Sequence, residues 1–281
     1  MLHLKIDVDG FEHLVIAGGK GLLQSDLSML IEVNENLPAH QQMVQQLTDW
    51  GYTYDQAQVE TARRKDGPFK GCAEYVFTKV SVVERAVLAA LAAAPIIPTP
   101  FPHCVVEEIF PPSFYAQLVA ALPPDSAYVS LEASRGTKGY PNRFTHAAPA
   151  MVNWMRSGRL RAALDAKFGV TSQADETVLL RDHAGYTIPP HTDTPTKAVT
   201  MLIYLGEARH GTSLYESIFE GFSDKKGLHH DREDFHETYK MEGTPNSAFI
   251  FARTNTSFHG TEPYEGTIPR DLLLWDSRRA P

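Results

Sequence analysis

Two side chains with metal-binding chemistry lie two positions apart in a proline-bounded stretch of the chain. Residues 189–195 read PPHTDTP and carry His191 and Asp193. Side chains of an extended chain alternate between two faces, so residues two apart share a face. An imidazole and a carboxylate on one face predict two ligands of a metal site.

A third ligand is expected downstream, because two side chains alone hold a metal ion weakly. The candidate is His259, which follows the apolar run 249–252. Two histidines and one carboxylate form the facial triad of non-haem iron oxygenases. Such a triad leaves coordination positions at which a bidentate cosubstrate and dioxygen can bind the same ion.

A single arginine supplies a candidate anion site. Arg270 lies eleven positions after His259, and a turn between them would place it on the next strand. A guanidinium that points into an apolar barrel is costly unless it meets an anion, and a dicarboxylate supplies one. Arg181, Asp182 and His183 precede the triad and are further candidates to face the pocket, with Arg181 as a substrate contact.

The positions of these side chains depend on short apolar runs bounded by glycine, proline and asparagine. These runs cover residues 178–180, 199–205, 248–252 and 272–275. Many short strands with turn signals predict a barrel or a double-sheet jelly roll. Helices are predicted over 114–122 and 153–168.

The first part of the chain has a different pattern of predicted strands and helices. Strand patterns at 2–8, 29–33 and 75–77 alternate with helical patterns at 11–23 and 41–50, which predicts an α/β fragment. An alanine-rich helix is expected over 81–94, and six prolines follow between 95 and 112. We therefore predict an α+β chain with a small α/β segment at 1–80, a linker helix at 81–94 and a second domain at 95–281.

The second domain resembles a known enzyme class. His191-x-Asp193, then His259 and Arg270, resemble the Fe(II)- and 2-oxoglutarate-dependent oxygenases of the prolyl-hydroxylase-like type. The resemblance covers about residues 95–281 and implies a double-stranded β-helix, or jelly-roll, core. It also implies Fe(II) on the three ligands and 2-oxoglutarate with its far carboxylate on Arg270. Tyr204 lies where related enzymes often place a tyrosine that hydrogen-bonds the cosubstrate.

The resemblance implies a reaction as well. Such enzymes oxidatively decarboxylate 2-oxoglutarate to succinate and CO2 with dioxygen, and they hydroxylate an unactivated C–H bond. Related halogenases lack the carboxylate ligand, so Asp193 favours hydroxylation. The substrate is left open between a small molecule and a peptide.

The N-terminal segment resembles a different class. Residues 4–12, reading LKIDVDGFE, and residues 31–34 resemble the last third of FkbM-type methyltransferases. Those enzymes bind S-adenosylmethionine through a glycine-rich loop after an early strand, and Gly18-Gly19-Lys20-Gly21 has the wrong spacing to serve as that loop. We expect residues 1–80 to be a methyltransferase remnant without catalysis of its own.

Composition narrows the function classes. The chain of 281 residues has 34 acidic and 26 basic side chains, which argues against a general nucleic-acid or anionic-membrane binder. Two cysteines, Cys72 and Cys104, do not make a disulfide framework and indicate reduced thiols in a cytoplasmic protein. The longest apolar run, 87–97, is about half of what a membrane span requires. Oligomeric state is left open.

Several alternatives remain at the level of sequence. The chain could be a cupin-like metal-binding protein without turnover, or the accessory half of an FkbM-like methyltransferase. Arg270 could be an ordinary surface ion-pair residue and Tyr204 simple core. Residues 224–237, DKKGLHHDREDFHE, are expected to be a solvated loop, with a second metal site or a substrate lid as the alternatives.

Overall fold

The structure is a computed structural model that describes residues 2–24, 27–79, 81–136 and 139–280. It divides into an N-terminal unit, Met1–Arg85, and a C-terminal unit, Ala86–Pro281. The division falls inside the helix Val82–Ala93, where the sequence predicted a linker helix. The assignment of 1–80, 81–94 and 95–281 as separate domains stays a prediction.

The N-terminal unit is built on a four-stranded sheet with the order β1-β2-β4-β3. The first two strands are parallel and the other pairs are antiparallel. Its strands are β1 Leu2–Ile6, β2 Leu27–Asn34, β3 Tyr52–Thr53 and β4 Cys72–Lys79. Its helices are α1 Glu12–Gly18, α2 Pro38–Asp49 and α3 Gln56–Ala62, and α4 Val82–Ala93 follows.

The spacing of apolar residues explains how this unit forms its core. Met43 and Leu47 lie four apart in α2, so both point to the same side of the helix, and they pack in the core with Ile31 and Val33 of β2. The α/β character that the alternating patterns predicted is confirmed. The predicted helix over 11–23 is shorter in the structure, where α1 ends at Gly18 and a separate 3-10 turn covers Leu22–Gln24.

The C-terminal unit contains two antiparallel sheets. The larger has seven strands in the order β5-β13-β10-β15-β8-β7-β6, and the smaller has four in the order β12-β11-β14-β9. The strands of the larger sheet are β5 His103–Val106, β6 Val129–Ser130, β7 Arg143–Ala147, β8 Ala174–Asp182, β10 Lys197–Leu205, β13 Ala248–Ala252 and β15 Arg270–Arg278. Those of the smaller sheet are β9 Ile188–His191, β11 Ser213–Ser217, β12 Phe235–Lys240 and β14 His259–Thr261.

The core of this unit lies where the two sheets pack against each other. Leu214 of the smaller sheet belongs to one buried cluster with Phe249, Phe251 and Leu272 of the larger sheet. Two antiparallel sheets with a shared apolar core are the jelly-roll arrangement. The predicted α+β fold with a jelly-roll core and a small N-terminal α/β segment is therefore confirmed.

The C-terminal unit also contains three further α-helices, α5 Pro112–Ala120, α6 Leu131–Arg135 and α7 Arg159–Phe168. The sequence predicted one helix over 153–168, and this was wrong. A 3-10 helix, Ala150–Arg156, ends before Gly158, whose φ of +83° breaks the helical path, and α7 begins at the next residue.

Two general expectations can be compared with the structure. In the described part of the chain, no helix has both the length and the apolar character needed to cross a membrane. Cys72 and Cys104 are free and buried, as expected for thiols that form no disulfide framework.

Candidate metal centre and its cavity

The two candidate histidine ligands lie side by side on neighbouring strands. His191 of β9 and His259 of β14 are direct cross-strand partners, and their ring centroids are 4.4 Å apart. Asp193 follows two residues after His191, and one ligand atom from each of the three residues lies within 4.8 Å of the others. All three side chains are buried. Elsewhere in the described residues, no other three His, Cys, Asp or Glu side chains converge in this way.

Backbone carbonyls fix the orientation of both rings. The Nδ1 of His191 is 3.0 Å from the carbonyl of Pro189, and the Nδ1 of His259 is 3.0 Å from the carbonyl of Ser257. A carbonyl oxygen only accepts, so each Nδ1 carries the hydrogen and each Nε2 keeps its lone pair for a ligand bond. Burial lowers the pKa of both imidazoles, which favours the neutral form that binds a metal.

Two side chains hold the Asp193 carboxylate. Lys197 Nζ lies 3.0 Å from Oδ1, and the Thr200 hydroxyl donates to Oδ2 at 2.6 Å. Burial alone would raise the pKa of Asp193, but the Lys197 ammonium and the Thr200 hydroxyl favour the charged form and the net shift is downward, so the group stays anionic. Lys197 also lies 3.4 Å from the buried Asp276. Asp276 also lies 3.4 Å from Arg278, which pairs with Glu176. Two cations therefore face three carboxylates, and this end of the site carries a net negative charge that suits a cation.

The backbone around Asp193 is held from outside as well. Arg253 donates from Nε to the carbonyl of Asp193 at 3.0 Å and from Nη2 to the carbonyl of Asp224 at 3.1 Å. Gly227 has a φ of +73°, and a Cβ at this position would lie 2.7 Å from the Asp193 carbonyl oxygen. Only glycine satisfies both the conformation and the close approach.

A cavity of about 90 Å³ opens beside the triad. Its polar lining includes His191, His259, Arg143, Arg270, Tyr186 and Thr212. A volume of this size admits a metal ion with a small ligand, whereas pockets that enclose a drug-sized molecule measure about 300–1,000 Å³.

Two arginines share one carboxylate in the wall of this cavity, and we call this set the arginine row. Arg143 grips Asp182 with two hydrogen bonds, from Nε at 2.6 Å and from Nη2 at 2.8 Å. Arg270 donates from Nη1 to the same carboxylate at 2.5 Å and from Nε to the carbonyl of His210. Burial lowers the pKa of the Arg143 guanidinium, but Asp182 raises it by more. The row thus holds two cations and one anion in a buried wall.

Tyr186 presents a buried polar atom that lacks a partner. Its side chain is fully buried and lines the cavity, and its ring lies under the Arg143 guanidinium with 4.0 Å from the Cζ atom to the ring centroid. Among the described residues, nothing hydrogen-bonds its hydroxyl. Burial raises the pKa of this phenol, so the hydroxyl keeps its proton as a donor. A buried unpaired hydroxyl is unfavourable by about 1–3 kcal/mol, which points to a hydrogen-bonding ligand in the cavity.

Tyr204 lies behind the cavity wall. Its hydroxyl donates to Thr212 Oγ1 at 2.9 Å and accepts from the Thr212 backbone N–H at 3.1 Å. Its ring faces Arg270, with 5.6 Å from the Cζ atom to the ring centroid. Thr212, and not Tyr204, is among the residues that line the cavity. A direct contact between Tyr204 and the cosubstrate stays a prediction, and the structure gives Tyr204 a supporting place next to Arg270.

Arg181 does not face the cavity. Neighbouring residues of a strand point to opposite faces, so Asp182 joins the arginine row while Arg181 points away from it. Arg181 donates to Asp271 from Nε at 2.7 Å and from Nη2 at 3.0 Å. His183 is partly exposed and lies 3.2 Å from Asp125. The substrate contact at Arg181 that the sequence left open is therefore not supported, because of this alternation.

The histidine-rich stretch has mostly exposed side chains but is anchored at two points, and we call residues 224–234 the clamped segment. At one end, the buried Asp224 side chain accepts from three backbone N–H groups and lies 3.2 Å from His230 Nε2. At the other end, Arg232 donates to Thr187 and to the carbonyls of Ile188 and Thr261.

The anchored ends of the clamped segment hold His229 against the candidate metal centre. The His229 ring packs on the His191 ring with centroids 5.1 Å apart. His230 is paired with Asp224, and His236 is exposed on β12, so the three histidines do not converge. Most side chains of the stretch are exposed, as predicted for a solvated loop, but His229 forms part of a wall beside the candidate centre.

Sequence reasoning missed Arg143, Tyr186 and Thr212. Arg143 opens a short strand without strong apolar alternation, and only the strand register brings it opposite Asp182. Tyr186 lies five residues before His191, out of phase with the alternation that links His191 to Asp193. No local pattern in the sequence marks either residue.

Comparisons with known proteins cover both units. Residues 3–54 match the family model of the methyltransferase FkbM domain. This match lies within the N-terminal unit and agrees with the resemblance of residues 4–12 and 31–34. No curated protein matches the chain.

Several solved structures resemble the chain. A prolyl-4-hydroxylase from Pseudomonas putida has a TM-score of 0.46 and 16% identity, covering 70% of this chain and 98% of that one. A prolyl hydroxylase from Trichoplax adhaerens, solved with a hypoxia inducible factor peptide fragment, has a TM-score of 0.46 and 12% identity, covering 69% and 88%. HygX from Streptomyces hygroscopicus, solved with nickel, 2-oxoglutarate and hygromycin B, has a TM-score of 0.43 and 12% identity, covering 63% and 83%. At these scores, the function has to be argued from this chain's own residues.

Proposed function

We propose that the C-terminal unit is an Fe(II)- and 2-oxoglutarate-dependent dioxygenase that hydroxylates an unactivated C–H bond. The observation that carries this proposal is the pairing of two opposite sites in one small cavity. A buried His-Asp-His group with both Nε2 atoms free lies at one end, and the arginine row with its excess positive charge lines the same cavity.

The donor set fits a ferrous ion. His191 and His259 would each bind through Nε2, and Asp193 through one carboxylate oxygen, which gives the two-histidine, one-carboxylate set of non-haem iron enzymes. Thr200 and Lys197 hold the carboxylate, and the carbonyls of residues 189 and 257 hold the rings. When bound, Fe(II) supplies the chemistry that uses dioxygen to oxidise 2-oxoglutarate to succinate and CO2.

The opposite wall fits the cosubstrate. Arg270 would bind the far carboxylate of 2-oxoglutarate through charge-assisted hydrogen bonds, because its guanidinium lines the cavity and is almost fully buried. The unpaired Tyr186 hydroxyl would donate a further hydrogen bond to this dianion. Tyr204 would act indirectly, by holding Thr212 and by packing against Arg270.

The substrate must lie mostly outside this cavity. About 90 Å³ leaves little space once an ion and a dicarboxylate are bound, so only the reacting group of a larger small molecule or peptide would enter. The clamped segment borders the candidate centre through His229 and would contribute to the substrate wall. We also propose a cytoplasmic location, because free buried cysteines are typical of a reducing compartment.

The test is anaerobic binding of 2-oxoglutarate to the Fe(II)-loaded chain. A weak visible charge-transfer band is expected when the keto acid chelates the ion, and succinate should form once oxygen is admitted. Arg270→Gln should need far more 2-oxoglutarate to develop the band. Arg278→Gln on the same strand is the matched control, because Arg278 is half-buried, does not line the cavity and pairs with Glu176 and Asp276.

Each outcome separates the proposal from its rivals. A chain that binds Fe(II) but shows neither the band nor succinate would be a metal-binding protein without turnover. Equal titrations for the Arg270→Gln and Arg278→Gln variants would remove Arg270 from the cosubstrate site. Succinate that forms only when a methyl donor is present would favour an accessory role in methyl transfer.

The N-terminal unit is a separate question. We propose that residues 1–80 are a methyltransferase-like remnant without catalysis of its own, because the FkbM match covers only 3–54 and Gly18-Gly19-Lys20-Gly21 does not have the spacing of a dinucleotide-type loop. The purified chain should not retain labelled S-adenosylmethionine on a filter. Saturable retention would overturn this proposal and leave the dioxygenase proposal intact.

A further inference from the structure

The arginine row is produced by strand register. Arg143 of β7 and Arg270 of β15 are both direct cross-strand partners of Asp182 on the strand between them, β8. Directly opposed residues of antiparallel strands point to the same face, so the three side chains form a line across three strands. Their exposed fractions are 12% for Arg143, 0% for Asp182 and 1% for Arg270.

The charge of the row depends on all three members. Asp182 and Arg270 alone would form a neutral pair, with 2.5 Å between the Nη1 and the Oδ2. Arg143 contacts both oxygens of Asp182, so it adds the second positive charge to a buried group that solvent screens weakly. The net charge of +1 exists only because two arginines share one carboxylate.

We propose that Arg143 is a positioning residue for the cosubstrate site, an inference that rests on the proposed function of the C-terminal unit. By occupying both oxygens of Asp182, it keeps that carboxylate from neutralising Arg270, and the row can then attract the far carboxylate of a dicarboxylate. Arg143 acts through Asp182 and Arg270. Its guanidinium also packs on the ring of Tyr186, the other hydrogen-bond donor at this end of the cavity.

An arginine–aspartate pair on the same two strands shows the contrast. Arg181 and Asp271, one position away on β8 and β15, are also cross-strand partners and point to the opposite face. Arg181 holds Asp271 with two hydrogen bonds, as Arg143 holds Asp182, and it also lies 3.4 Å from the exposed Asp125, but no second arginine joins this group in the described structure. An aspartate with a single arginine partner is likewise what the row would become without Arg143.

The experiment changes the charge of the row in both directions and measures 2-oxoglutarate affinity by calorimetry on the Co(II)-loaded chain. Arg143→Gln should raise the Kd for 2-oxoglutarate by about tenfold or more, since it leaves a neutral pair. Arg143→Gln combined with Asp182→Asn should return the Kd to within about threefold of the unaltered chain, because Arg270 is again an unpaired cation. Asp182→Asn alone should bind 2-oxoglutarate as tightly as the unaltered chain or more tightly.

The controls separate charge from folding. Co(II) affinity, read from the visible spectrum, should be unchanged in every variant, because the row does not touch the metal ligands. Arg143→Lys should keep most of the affinity, because it keeps the charge. Arg181→Gln should leave the Kd for 2-oxoglutarate unchanged, because Arg181 faces away from the cavity.

Two results would overturn the role of Arg143. An unchanged Kd for Arg143→Gln would mean that Asp182 does not neutralise Arg270. A double variant that binds more weakly than Arg143→Gln, or weaker binding by Asp182→Asn alone, would mean that the row is only a structural brace. Absence of 2-oxoglutarate binding by the unaltered Co(II)-loaded chain would instead contradict the proposed function itself.

Discussion

The two ends of the cavity in the C-terminal unit carry opposite charge by similar means. At the metal end, Lys197 lies between the carboxylates of Asp193 and Asp276, and Arg278 lies between Asp276 and Glu176, with two cations for three anions. At the other end, the carboxylate of Asp182 lies between two guanidiniums, with one anion for two cations. Each end therefore has a surplus of one charge, and the surplus matches the ligand proposed for that end.

The two ends differ in how the sequence encodes them. Two metal ligands, His191 and Asp193, lie two residues apart, so a short motif places them on one face. The arginine row comes from three strands that are distant along the chain, and it exists only through register. A local motif therefore places two of the three candidate ligands of the cation site, whereas the anion site forms only in the assembled sheet.

The strongest perturbation of the metal end is His259→Ala. We expect Co(II) affinity to fall by more than about 100-fold, because residues that merely support a ligand already contribute about 10–100-fold. Titration by visible spectroscopy measures the change. His236→Ala is the matched control, since that histidine is exposed on β12. Retained Co(II) affinity in His259→Ala would rule out the triad as the metal site.

Gly227→Ala tests the backbone support of the metal end. The new Cβ would lie 2.7 Å from the Asp193 carbonyl oxygen, whereas Gly221 has a similar φ of +71° and open space around it. We expect Gly227→Ala to lower the free energy of unfolding by about 1–3 kcal/mol more than Gly221→Ala, as overpacking does. It should also weaken Co(II) binding. Equal effects in denaturant titrations of the two variants would show that only the positive φ matters.

Tyr186→Phe tests the arginine end of the cavity. Removing the unpaired hydroxyl should leave the stability of the ligand-free chain unchanged or slightly higher. The Kd for 2-oxoglutarate should rise by roughly tenfold, because a hydrogen bond to a charged group contributes about 1.5 kcal/mol or more. Calorimetry measures the Kd, and Tyr239→Phe, which changes an exposed tyrosine, is the control. A normal Kd would mean that this hydroxyl does not contact the dianion.

Tyr204→Phe should have the smallest effect on binding. The ring stays against Arg270, and only the two hydrogen bonds with Thr212 are lost, so the free energy of unfolding should fall by about 1 kcal/mol. The Kd for 2-oxoglutarate should change by less than about threefold. A rise of tenfold or more would instead support the direct contact that the sequence resemblance implied.

Much of the larger sheet could be predicted because its inner strands contain short apolar runs. The run 248–252 was assigned to its observed bounds, and 199–205 falls inside β10. Strand β9, Ile188–His191, was not predicted, since two of its four residues are prolines. It is the edge strand of the smaller sheet, where missing N–H groups break few ladder hydrogen bonds.

The candidate site could be predicted only as far as its local motifs reach. His191 and Asp193 follow from spacing, and His259 from its place after an apolar strand. Arg270 follows from its offset after His259, whereas Arg143 and Tyr186 depend on tertiary neighbours, which no periodicity records. Density of charge correctly predicted the exposed side chains of 224–237, but it did not predict that the buried Asp224 carboxylate accepts from three backbone N–H groups.

The fixed ends of the clamped segment have a consequence for how this fold can diversify. Asp224 and Arg232 anchor the segment through contacts that do not involve the side chains of Lys225, Leu228 or Asp231. Exchanges at those three positions would therefore remodel the rim around the ion while the ligand geometry stays intact. Selectivity could then change over evolution through a handful of surface substitutions, without any change to the candidate metal ligands.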